Sequence, residues 1–125
     1  MRKSLIFAII GFLVIIFAGF MELKYLDSLS KELVGFIDKA DSLENFEEEM
    51  VIIDEFRDKW DKNKRILSMF IDHQDIHKIE SELVEVETIL KNNAKKCQIS
   101  TNFALLKLYI EDITEERTFI LQNVL

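Results

Sequence analysis

Proline is absent from the 125 residues, and the last of three glycines is Gly35. Positions 36–125 therefore lack both of the strongest turn-forming residues. This disfavours a hairpin-rich β fold, whose tight turns need glycine to reach positive φ. Long helices joined by short polar turns remain. Cysteine occurs once, at Cys97, so no internal disulfide exists and a bridge-stapled secreted domain is ruled out. Cys97 is expected to be an incidental thiol in the polar loop Lys95-Lys96-Cys97-Gln98, with pairing between chains as the alternative.

Positive charge is also scarce. Arg2 and Lys3 are the only charged residues before Glu22. The other 14 basic residues face 23 acidic ones within residues 22–125, a balance of −9. Such a body does not neutralise phosphates, so nucleic acid is not an expected partner. An anionic lipid surface would repel it weakly. After Gly35 there is no glycine to build a phosphate-cradling loop, a G-x-S-x-G elbow or a D-x-D-x-D-G calcium loop.

What is present begins with LIFAIIGFLVIIFAGFM, residues 5–21, of which twelve are Leu, Ile, Val or Phe. Seventeen residues at about 1.5 Å each reach roughly 26 Å, close to a ~30 Å hydrocarbon core once Ser4 and Leu23 extend the span and Lys3 snorkels. A cleaved leader needs small residues at −3 and −1 of the cut, but Phe17 or Ile16 stands at −3 for cuts after Gly19 or Ala18. Residues 1–21 are thus expected to be an uncleaved, single-pass transmembrane anchor in the cell membrane. Arg2 and Lys3 keep its N-terminus cytoplasmic and place residues 22–125 outside.

Apolar spacing makes those residues helical. Leu26, Leu29, Leu33, Phe36 and Ala40 form one seam, continuous with the span. Asp41-Ser42-Leu43-Glu44 offers a cap, and a second helix is expected over about 43–71. Its stripe is Phe46, Met50, Ile53, Phe56, Trp60, Asn63, Leu67 and Phe70, widened by Ile52, Ile66 and Ile71. Asn63 either bonds across the core to fix register or lies at the stripe's edge in water, and the edge is the expected place. Ile76, Ile79, Leu83, Val86 and Leu90 predict a third helix. After the polar loop Asn92–Cys97, Ile99, Phe103, Leu106, Ile110 and Ile113 predict a fourth. Arg117 occupies the next stripe position, so a short final turn is expected near Thr114. Five acid-before-base pairs at i,i+4, namely Asp27–Lys31, Glu55–Lys59, Asp58–Lys62, Asp61–Arg65 and Glu87–Lys91, support solvated helix faces. The charge run Glu47-Glu48-Glu49 is expected to be such a face, a docking surface for a basic partner being the alternative.

The stretch HQDIH at 73–77 resembles a metal-binding helix face, but a zinc-protease helix needs His-Glu-x-x-His, and Gln74 cannot serve as the base. It also falls where the second and third helices part, and Asp72 and Asp75 are good N-cap residues. Turn and capping are the expected role. A break at 72–75 would take His73 and His77 off a common face. Metal held by His73, His77, Asp72 and Asp75 is the alternative. A Cys97–histidine nucleophile pair has no local support.

At Trp60-Asp-Lys-Asn63-Lys64, then Leu67-Ser68-Met69-Phe70-Ile71-Asp72-His73 and Asp75-Ile76, the chain resembles domain of unknown function 4363, a family of short, N-terminally anchored helical proteins of low-GC Gram-positive bacteria. The resemblance runs from the anchor to Asn123-Val124-Leu125. It departs at Asp112-Ile113-Thr114, where a proline-containing turn is common in the family. The family has no established activity, so none transfers. The resemblance implies structural or partner-binding roles for Trp60, Asn63, Asp72 and His73.

The expectation is an all-α protein: a transmembrane helix followed by an antiparallel bundle of about four helices. It is expected to be no enzyme, with no cofactor and no small-molecule substrate. Its role is that of an interaction module at the membrane, an accessory subunit of a complex being one form, with a protein partner or a second copy of itself. A metal- or small-molecule-sensing bundle built on His73, His77 and nearby acids is the alternative.

Overall fold

A computed structural model describes the backbone of residues 2–92 and 96–124, and the side chains of these except 96–98, 121 and 124. Four helices account for nearly all of it, and no strand occurs among the described residues. They are α1 (Arg2–Ser42), α2 (Phe46–Leu67), α3 (His73–Lys91) and α4 (Lys96–Val124). Among the described residues α1 packs on α2 and α4, and α3 closes the square against the same two, with the α1 and α3 backbones apart across the core. Neighbours run antiparallel, as short connections require.

With no proline or cap to stop it, α1 runs 41 residues, about 60 Å. Its first half is apolar on every side. An 18-residue window there has a mean hydropathy of 2.7, and only 6% of it is covered by protein. Its second half buries Leu26, Leu29, Leu33, Ile37 and Ala40. Ile37 takes the seam position expected for Phe36, which is only half-buried. A straight 3.6-residue helix drifts from a strict 3,4 repeat, and the step from Leu33 to Ile37 absorbs that drift.

Asn45, rather than the expected Asp41–Glu44 segment, caps α2: its side chain accepts from the Glu47 amide at 2.8 Å. Glu47, Glu48 and Glu49 then fill the first turn and Lys64 and Arg65 the last, matching the helix dipole. α2 ends at Leu67 instead of continuing to 71, and a turn at 68–72 follows. Asp72 caps α3, accepting from the Gln74 amide at 3.0 Å. Asp75 lies inside that first turn and is not a cap.

The core joins Trp60, Phe56 and Ile53 of α2 to Ile79, Leu83 and Val86 of α3 and Ile99, Phe103 and Leu106 of α4. All five expected seam residues of α3, and all five of α4, are buried. α4 does not turn at Thr114 but continues through Arg117 to Val124. It begins at Lys96, so Cys97 stands in its first turn and not in a loop. The Cys97 side chain, and with it any pairing between chains, lies outside the described residues.

Of the five expected i,i+4 pairs, Asp27–Lys31 and Asp58–Lys62 form, both at 3.0 Å. Three acids or bases of the others find partners elsewhere: Lys59 reaches Glu32 of α1 at 3.2 Å, Asp61 takes Arg57, and Glu87 takes Arg57. Packing brings charges of neighbouring helices as close as those one turn away.

Leu83 has no exposed surface, whereas its neighbour Val84 is 52% exposed. Leu83→Ala is expected to cost about 2–5 kcal/mol by leaving a cavity, and Val84→Ala less than about 0.5 kcal/mol. Urea unfolding of the detergent-solubilised chain, followed by Trp60 fluorescence, measures both.

Candidate functional site

The polar residues singled out by their sequence pattern lie where α2 meets its neighbours. Trp60 is buried, and its indole Nε1 donates to Glu80 Oε1 of α3 at 3.3 Å. Lys64, one turn on, donates to the same oxygen at 2.5 Å. Burial alone would raise the Glu80 carboxyl, but the hydrogen bonds from Lys64 and Trp60 outweigh it and hold the group below the ordinary glutamate value. Arg57 presents two donors to Glu87, Nη2 to Oε1 at 2.5 Å and Nε to Oε2 at 3.3 Å. Glu87's hydrogen bond raises the guanidinium further. Seven residues forward along α2, from 57 to 64, match seven backward along α3, from 87 to 80. The two ion pairs thereby set the antiparallel register.

Asn63 faces the other neighbour. Its Nδ2 donates to the Lys59 carbonyl at 2.8 Å, leaving Oδ1 to accept from the Tyr25 hydroxyl of α1 at 2.5 Å. Asn63 is half-buried, at the stripe's edge as expected, but bonded to protein. Burial pushes the Tyr25 phenol up. The Tyr25 ring meets Phe70 edge-on, with centroids 6.3 Å apart at 76°. The Arg117 guanidinium of α4 lies 5.9 Å from the Phe70 ring centre and bonds Glu22 of α1. Asn63, Tyr25, Phe70, Arg117 and Glu22 thus join α1, α2, the 68–72 turn and α4 at one end of the bundle. Arg117, which ought to break the α4 stripe, is accommodated because it has an acid and a ring to meet.

His73 and His77 differ from expectation. α3 starts at His73, so the two histidines do share a face, both exposed, beside a surface depression that also takes in Gln74, Ile76, Lys78 and Glu80. Glu80 is already engaged by Trp60 and Lys64. Among the described residues no three His, Cys, Asp or Glu side chains are grouped to hold a metal ion.

Two acids are buried: Glu49, expected on a solvated helix face, and Glu82, which the sequence reading did not single out. Glu49 has no exposed surface and sits in the first turn of α2, where a helix N-terminus favours a carboxylate. Glu82 of α3 is buried beside Asn102 of α4, whose side chain hydrogen-bonds to it. Its Oε1 finds no hydrogen-bond partner among the described residues. Burial first, and then nearby Glu85, push the Glu82 carboxyl up. Spacing held the signal: Glu49 falls three after Phe46 and four before Ile53, and Glu82 three after Ile79 and four before Val86.

A family model described as a domain of unknown function (DUF4363) matches residues 20–124. No curated protein and no solved structure matches the chain.

The two glutamates predict opposite pH responses. Glu82 is raised, so the folded state holds the extra proton between the ordinary value of 4.5 and the higher folded one, and stability falls as pH rises through that window. Glu82→Gln should therefore be more stable than the parent at pH 7, with the gain vanishing below pH 4.5. Glu80 is lowered, so its contribution is present above the ordinary value and lost as pH falls through the folded one. Glu80→Gln should lose stability at pH 7 and match the parent in strong acid. Urea midpoints across pH read both. Tyr25→Phe, which strands Asn63 Oδ1, should cost about 1 kcal/mol in the same assay.

Proposed function

The chain belongs to the DUF4363 family, and from that premise we propose that it is a non-enzymatic interaction module held at the cell membrane by the first half of α1. The observation that carries this reading is the uncovered apolar surface of residues 5–21. Leu5, Phe7, Phe12, Ile15, Phe17 and Phe20 are all exposed, although the same helix buries a full seam from Leu26 onward. Apolar surface on every side of a helix suits lipid, not water. Arg2 and Lys3 before the span favour a cytoplasmic N-terminus, which sets the body, net −9 over residues 22–125, outside.

Interaction in place of catalysis fits how the polar groups are spent. Trp60, Lys64, Arg57, Asn63 and Arg117 each satisfy a group on a neighbouring helix, and Asp72 caps α3. In this reading Trp60, Asn63 and Asp72 hold the bundle's shape. His73, exposed at the start of α3, is available to a protein partner. An accessory subunit of a membrane complex has these properties.

The full chain, expressed in a bacterial cell, should stay in the membrane pellet through alkaline extraction. Protease added outside intact cells should digest the body. Release of an uncleaved chain into the soluble fraction overturns the anchor, and a body cut only after lysis overturns its placement outside. Crosslinking followed by purification from detergent should recover a specific partner that depends on residues 22–125. Recovery of the chain alone at every concentration overturns the interaction role while leaving the anchor standing.

A further inference from the structure

We propose that the base of the bundle is itself seated in the lipid interface, with Phe119 and Ile120 of α4 and Met69 of the α2–α3 turn entering the headgroup–acyl boundary of the leaflet that α1 leaves. This rests on the reading that residues 5–21 lie in a membrane. It adds a second lipid contact, some hundred positions along the chain from the first.

Four observations place these side chains there. The first is height. Arg117 bonds Glu22, and Phe70 meets both Tyr25 and Arg117, so residues 22, 70 and 117 lie at one level. The second is direction. α4 runs antiparallel to α1, as Asp38–Lys107 at one level and Glu22–Arg117 at the other require. Residues after Arg117 therefore continue down beside the span, and the seven to Val124 extend about 10 Å. The third is coverage. Between Arg2 and Phe20 only Ile16 and Gly19 are partly covered, and with Leu23 and Leu26 they step by 3, 4 and 3. The seam that packs α1 into the bundle thus continues into the apolar span, on the side where α4 descends. The fourth is charge. Residues 4–21 and 118–125 contain no Asp, Glu, Lys or Arg, so Glu22 and Arg117 mark the same boundary on two helices.

Phe119 and Ile120 follow Arg117 on the far side of that boundary, and Met69 stands in the turn next to Phe70, at its level. Met69 is 77% exposed, Phe119 66% and Ile120 41%. Phe119 and Ile120 descend beside the span on α4, so the surface that covers the span covers them as well. About 10 Å is also the depth to which interfacial helices bury their apolar faces, roughly 5–10 Å. Deeper entry is opposed by the exposed amides of Gln122 and Asn123. A second copy of the chain is the poorer occupant, since two bodies of net −9 would have to approach.

The test uses the full chain with Cys97→Ser, reconstituted in phosphatidylcholine nanodiscs. Single nitroxide labels are placed by Phe119→Cys, Phe12→Cys and Glu47→Cys. The label at 119 should collide with oxygen in preference to a nickel chelate, as the label at 12 does, and the label at 47 should show the reverse. A label at Met69→Cys should follow 119, and adding Phe119→Asp with Ile120→Asp should shift it toward nickel at unchanged helicity. If 119 behaves like 47 while 12 stays lipid-like, the bundle stands clear of the bilayer: this proposal fails and the anchor survives. If 12 also behaves like 47, the anchor fails and the proposal with it. A label at 119 shielded from both reagents and broadened by spin–spin coupling identifies a second copy as the occupant and overturns the lipid assignment.

Discussion

α1 is one unbroken helix, and the arrangement of everything else depends on that continuity. Its hydrogen-bonded backbone crosses residues 20–24 with neither a cap nor a proline, so its apolar half and its packed half share a single axis. α2 and α4 take their direction from it because both pack against its second half. Among the described residues the α3 backbone packs on α2 and α4, across the core from α1, where Ile79 lines one small cavity with Leu26, Leu29 and Leu33. An inserted break near Glu22 would free the bundle to tilt while leaving its core intact. The orientation of the body is thus a property of backbone geometry, and not of any single side-chain contact.

The ion pairs run between two extremes, with the interhelical but exposed Lys59–Glu32 and Asp38–Lys107 between them. Asp27–Lys31 and Asp58–Lys62 join residues one turn apart and are largely exposed, which makes them worth a few tenths of a kcal/mol each. Arg57–Glu87 and Glu22–Arg117 join different helices and are mostly shielded from solvent. A seam of Leu and Ile tolerates sliding by a turn, since one aliphatic residue replaces another. An arginine that must find its glutamate does not. The shielded pairs therefore supply register to a core whose stability comes from apolar burial.

Helix number, type and core were legible because the apolar stripes of α3 and α4 are strict. Leu83 and Leu106 can be located by counting alone. Reading failed where two local signals competed or where the partner was distant. Asp41, Ser42 and Asn45 are all capable of capping α2, and only the closing geometry of the 43–45 connection selects Asn45. Arg117 looked like the end of a stripe because its partners, Glu22 and Phe70, lie 95 and 47 positions away in sequence. Glu49 and Glu82 were passed over because charge was taken as a sign of solvent, although their spacing put them on the buried face. Of the candidate site, Trp60, Asn63 and Asp72 were singled out by pattern. Their partners Glu80 and Tyr25 were not, because nothing local distinguishes one glutamate or tyrosine from another.

The square of four helices also imposes an order in time. Three of its contacts, α1 with α2, α2 with α3 and α3 with α4, join helices adjacent in the chain, but the fourth joins the first helix to the last. A ribosome completes α1, α2 and α3 before α4 exists. During that interval the surfaces of α1 and α3 that α4 packs against have no cover. Nascent chains are thus most vulnerable to aggregation or proteolysis before α4 emerges, and Arg117 can meet Glu22 only after that.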